Sequence, residues 1–125
     1  MYRSKSLNIL IIDDCPEFIK SLSKLVIDTV GKEINKINSA FNVYDGLALA
    51  RDNQFHYIFL DIKMSSIENI QTAKSVCDKT NYTPEIVAVS FHDEAIFKNQ
   101  AIRAGANHYL VKDEIDHSAL SLLFN

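Results

Sequence analysis

Three features of the sequence predict an α/β fold built on a parallel sheet with helices on both faces. Short apolar runs rich in branched and aromatic residues alternate with longer stretches at helical spacing, five of each. Strands separated by helical stretches require crossover connections, which makes the sheet parallel and its βα units right-handed. At 125 residues and 47% hydrophobic content, the chain is long enough for one compact core and too short for two ordinary domains. No internal repeat, low-complexity tract or linker divides it, so residues 1–125 are expected to form one domain.

The elements follow in order. "LNILII" (7–12) reads as a strand buried on both faces, as do the later runs "YIFL", "EIVAVSF" and "HYLV". The next stretch is an amphipathic helix: Phe18, Leu22, Leu25, Val26 and Thr29 share a stripe, with Glu17, Lys20, Lys24 and Asp28 on other faces. Pro16 opens it in the first turn and Gly31 closes it. "INKINSAF" (34–41) alternates apolar and polar positions, as an edge strand near solvent does. Residues 44–53 form the second helix and "YIFL" (57–60) the third strand; 67–79 is the third helix and "EIVAVSF" (85–91) the fourth strand. The fourth helix, 93–104, ends before Gly105, "HYLV" (108–111) is the fifth strand, and 114–124 is the last helix. For a five-stranded sheet of this kind the expected winding is flavodoxin-like, strand order 2-1-3-4-5, with strand 1 between strands 2 and 3.

Composition narrows the function. A net charge of −3 gives no basic face for DNA or RNA. Two cysteines, Cys15 and Cys77, make neither a disulfide framework nor a zinc site, and both read as inert helix residues in a reduced, cytoplasmic setting. The apolar run of "MYRSKSLNILII" is short and ends at "DD" with no small-residue cleavage pattern, and no stretch reaches the roughly 18 apolar residues of a membrane span. His56, His108 and His117 show no metal spacing and read as strand-end or surface residues.

The residues that follow the apolar runs carry the chemistry. Strand 1 ends in Asp13 and Asp14, strand 3 in Asp61, strand 4 in Ser90 and strand 5 in Lys112. In a parallel sheet these all fall on the carboxyl edge, where ligands bind. Singly, "DD" before a helix is a capping pair, Asp61 a turn residue, Ser90 a strand-end hydroxyl and Lys112 a solvated charge. Together, three carboxylates from adjacent strands call for a cation, and an all-oxygen set suits Mg²⁺. A lysine ammonium and a hydroxyl beside them provide what a phosphoryl group needs, and a carboxylate can itself be the nucleophile that forms an acyl phosphate.

Through "ILIIDD", "FLDIKM", "VAVS" and "AGANHYLVK", in this order, essentially the whole chain resembles the receiver domain of bacterial two-component response regulators, notably the single-domain chemotaxis-regulator type. The resemblance implies that Asp61 is the phosphoacceptor, Asp14 a direct Mg²⁺ ligand and Asp13 a ligand through water, with the backbone carbonyl of Lys63 also on the metal. It implies that Ser90 is the switch hydroxyl, Lys112 the lysine that neutralises the phosphoryl group, and Tyr109 the aromatic that changes rotamer. Lys63 and His92 would flank the phosphoryl position on the side from which hydrolytic water comes. The implied partners are a histidine kinase or phosphotransfer protein and a downstream protein bound through helix 4, strand 5 and helix 5. Neither direct nucleic-acid nor membrane contact is implied, and the chain would be a monomer or weak dimer.

Several positions depart from the family pattern. Ser65 and Asn69 replace the usual proline and glycine of the loop after strand 3, which is expected to change its shape. Asp113 replaces a cis proline, so the Lys112–Asp113 bond is expected to be trans, which would displace the lysine, or to be held cis by its surroundings. Phe91 stands where a very small residue is usual, and its ring is expected to narrow the approach to Asp61. The helix "EIDHSALSLLFN" is short for the family, which fits either a stand-alone receiver or part of a longer regulator; its apolar end suits dimerisation or, through Phe124, cover for the sheet. The departures leave open a receiver that no longer switches and acts as a phosphorylation-independent interaction domain. A metal-dependent phosphatase with an aspartyl phosphate lacks its usual "D-x-D" after strand 1, so the chain is not read as an enzyme.

Overall fold

The computed structural model describes residues 6–63 and 67–125. Five parallel strands form one sheet: β1 (Leu7–Ile12), β2 (Ile34–Ala40), β3 (Tyr57–Asp61), β4 (Glu85–Ser90) and β5 (His108–Val111). Their order is β2-β1-β3-β4-β5, as expected. Five α-helices alternate with them: α1 (Pro16–Val30), α2 (Val43–Asp52), α3 (Glu68–Lys79), α4 (Ala95–Ala104) and α5 (His117–Phe124).

The sheet divides the core in two because successive side chains of a strand point to opposite faces. On one face Leu10, Ile12, Ile58, Leu60, Ile86 and Ala88 pack with Ala50, Ile70, Ala73, Cys77 and Ala101 of α2, α3 and α4. On the other, Ile9, Ile11, Phe59, Val87 and Val89 meet Leu22 and Val26 of α1 and Leu120 and Phe124 of α5. The central strands are therefore apolar nearly throughout, which is the pattern that made them legible. "HYLV", expected to be covered on both faces, is half-buried at all four positions because β5 is the outer edge.

The structure moves several boundaries. Phe91 lies beyond β4, and Asp61 is the last residue of β3. Cys15, expected within a helix, is the extended residue before it (φ −104, ψ 105), as a residue preceding proline prefers. Gly31 is right-handed and leads into a 3₁₀ turn, Gly31–Glu33, whereas Gly105 ends α4 with φ 116, a left-handed cap that favours glycine. The last helix starts at His117 rather than 114, after a 3₁₀ turn at Lys112–Glu114, and Asp116 caps it by accepting a hydrogen bond from Ala119 N–H at 2.8 Å. Phe124 is buried, its ring edge-on to Tyr57 at 4.8 Å, so it does cover the sheet. The expected change of shape at Ser65 lies outside the described residues.

Candidate functional site

β1 and β3 are hydrogen-bonded neighbours, with Ile12 paired to Leu60, so the residues that follow them emerge side by side. Asp13 continues the β1–β2 ladder, its N–H donating to Ala40 O at 3.0 Å, and Ile62 N–H donates to Val89 O at 2.9 Å just past Asp61. Regular pairing thus holds both acids up to the sheet edge. Carboxylate oxygens of Asp13, Asp14 and Asp61 lie within 4.8 Å of one another.

The three acids sit in different surroundings. Asp13 is buried and uses Oδ1 to accept the Cys15 N–H at 2.9 Å, so it does serve the turn into α1. Its Oδ2 is buried and accepts no aligned hydrogen bond, although the Lys112 ammonium makes an ionic contact with it at 2.8 Å. Asp61 is half-buried and 3.3 Å from the same ammonium. Burial pushes the Asp61 carboxyl above its ordinary value, the charge of Asp13 adds to this, and Lys112 only partly offsets them. Asp14 is exposed and bound by Lys63 Nζ at 2.5 Å, which holds its carboxyl below the ordinary range.

Lys112 is almost fully enclosed, its side chain 6% exposed. Burial alone would lower its pKa, but Asp13 and Asp61 outweigh this and the net direction is up. Two rings flank the ammonium, Phe18 at 4.4 Å and Phe91 at 5.0 Å from their centroids, in cation–π geometry. No cis peptide bond occurs among the described residues, so the Lys112–Asp113 bond is trans, and the lysine is not displaced by it. Phe91 is 65% exposed and flanks the lysine.

On the far side of the cluster, Ser90 and Tyr109 hold one residue between them. The Ser90 Oγ accepts the His92 N–H at 3.1 Å, and the Tyr109 hydroxyl donates to the His92 carbonyl at 2.6 Å. The His92 ring turns to α4, 4.6 Å from the Phe97 ring and 3.7 Å from Glu94. The remaining histidines make local contacts: His56 Nδ1 accepts the Asn8 N–H, His108 meets Glu85, and His117 meets the Thr29 hydroxyl.

The fold brings the sequence-predicted acids and Lys112 together. Phe18 beside the lysine was not expected; its place in the first turn after "DD" was the available signal, masked by its fit to the apolar stripe of α1. Asn69, Asn42 and Phe41 line the acidic cleft.

Residues 9–123 match the model of the response regulator receiver domain. The chain belongs to that family. Receivers are signalling modules rather than classical enzymes. This receiver is 31% identical over 106 residues to the positive alginate biosynthesis regulatory protein of Pseudomonas aeruginosa, covering 85% of this chain and 41% of that protein. It therefore spans less than half the length of that relative. In three dimensions it is similar to the chemotaxis protein CheY4 of Vibrio cholerae, with a TM-score of 0.76 at 18% identity, covering 95% and 96% of the two chains. It is similar also to the receiver domain of the histidine kinase CKI1 from Arabidopsis thaliana complexed with Mg²⁺ and BeF₃⁻, with a TM-score of 0.71 at 20% identity, covering 87% and 83%. Among the described residues no helix is long and apolar enough to cross a membrane.

Proposed function

We propose that the chain accepts a phosphoryl group on Asp61 from a histidine kinase or phosphotransfer protein and changes its protein contacts as a result. The observation that carries this reading is the cluster of Asp13, Asp14 and Asp61 with Lys112 bridging two of them at the sheet edge. The donor set is all oxygen and hard, and the buried Asp13 Oδ2 without an aligned hydrogen bond is an acceptor facing it. Such a set fits Mg²⁺, which the CKI1 receiver is named as binding. Asp13, Asp14, Asp61 and the Lys63 carbonyl would hold it, and when bound it would neutralise charge on the transferring group.

In the transfer, an Asp61 carboxylate oxygen attacks phosphorus, the N–P bond of the donor phosphohistidine breaks, and the new O–P bond makes an acyl phosphate while the imidazole leaves. Lys112, held by Asp13 and the two rings, is aimed at Asp61 and suits the added negative charge. Ser90 would exchange the His92 N–H for a phosphoryl oxygen, and Tyr109 would follow when the His92 carbonyl moves. The change would be read through α4, β5 and α5 by a protein partner.

Intact mass after incubation with acetyl phosphate tests the reading. Wild type is expected to gain one phosphoryl group with Mg²⁺ and none without it, and Asp61→Asn none in either case. If wild type gains nothing from acetyl phosphate or from a phosphohistidine donor, the reading fails in favour of a phosphorylation-independent interaction domain.

A further inference from the structure

The acidic cluster carries two lysines, and they are held very differently. Lys112 is enclosed, in contact with Asp13 and Asp61 and flanked by two rings. Lys63 reaches back over the cluster from just beyond β3, its ammonium 2.5 Å from Asp14 Oδ2, and both side chains of that pair are more than half exposed, at 63% and 58%. Three carboxylates and two ammonium groups leave a formal charge of −1, from −3 + 2. Much of the attraction that would draw a divalent cation is therefore already met by the protein's own cations.

We infer that the Lys63 side chain is a tethered competitor for the divalent cation, which must displace the ammonium from Asp14 to enter. The inference rests on the proposed metal site. A cation seated among the three acids would take the Asp14 carboxylate as a ligand and place a double positive charge close to the ammonium, so the two occupants exclude one another. Lys112 is the harder of the two to displace: its head group is enclosed between Asp13, Asp61 and the Phe18 and Phe91 rings, with its side chain 6% exposed. Lys63 can, because its stem is flexible and its head group already borders water. The competitor lowers metal affinity below what the carboxylates alone would give. It also couples metal entry to release of a lysine head group into the cleft that Asp61 and Asn69 line.

The test is a titration of MgCl₂ into the metal-free chain by calorimetry at fixed ionic strength, comparing wild type, Lys63→Met and Lys63→Arg. Both substitutions keep the backbone carbonyl at position 63. Lys63→Met is expected to bind Mg²⁺ about three- to tenfold more tightly, and Lys63→Arg to stay within about twofold of wild type. Lys63→Gln carries the same expectation as Lys63→Met should the latter fail to fold. In ¹³C-lysine-labelled wild type, the Cε signal that disappears in Lys63→Met should shift along the same binding curve. Equal or weaker binding by Lys63→Met, with wild type still binding, overturns the competitor and leaves the metal site standing. No binding by wild type or Lys63→Met overturns the metal site and the competitor with it.

Discussion

Asp61 keeps a carboxylate in a half-buried position beside another buried acid, and the fold bears a cost for it. A carboxyl whose pKa is higher folded than unfolded holds its proton more tightly in the folded state, so its charged form destabilises the fold above the folded pKa. That cost vanishes as pH falls below the ordinary value of 3.8, where Asp61 is protonated in both states. Asp61→Asn is therefore expected to raise the melting temperature by a few degrees at pH 7 in EDTA, with the gain shrinking toward pH 3; melts followed by circular dichroism check both parts. At this scale the sequence was informative where position alone decides. Asp13, Asp14, Asp61 and Lys112 each follow a strand, and strand pairing carries them to a common edge. It was uninformative about the Lys63 head group, because a four-carbon stem with several rotors can reach Asp14 or open solvent from the same backbone.

Among the elements, α2 approaches the sheet so closely that Gly46 has no room for a side chain. A methyl group built there would fall 2.4 Å from Ile12 Cδ1 and 2.6 Å from its Cγ1, and Ile12 is buried directly before Asp13. Gly46→Ala is expected to cost about 1–3 kcal/mol in urea unfolding through overpacking and to disturb the acidic cluster from behind. At the other end of the chain, Asp116→Ala removes the cap of the short α5 and should cost about 0.5–2 kcal/mol by the same measurement. The start of α5 was misplaced because Ile115 fits helical spacing; spacing does not register that the backbone at Lys112–Glu114 is a 3₁₀ turn. Gly46 was invisible for a related reason. Periodicity marks which face of a helix is apolar and says nothing of how near that face comes to its neighbour.

For the molecule as a whole, the parallel sheet was legible from the alternation of strands and helices because the central strands are apolar nearly throughout, and its order is the usual winding of a five-stranded sheet of this kind. The division of the helices, with α1 and α5 on one face and α2 to α4 on the other, seals both sides, and Phe124 closes the α1–α5 side against Tyr57 and Phe59. Phe124→Ala should destabilise by about 3–5 kcal/mol, read as a lower urea midpoint with an unchanged slope. The grip of Ser90 and Tyr109 on His92 has a consequence of this reach too. One side chain comes from the end of β4 and the other from the outer strand β5, yet they hold the amide and the carbonyl of a single residue. Their free energies cannot be independent: Ser90→Ala and Tyr109→Phe should show a non-zero interaction energy in a double-mutant cycle of stability. Under the proposed function, linkage is reciprocal: if a protein bound where β5 meets solvent shifts Tyr109 and a group bound at Asp61 shifts Ser90, each would alter the other's affinity by the same factor.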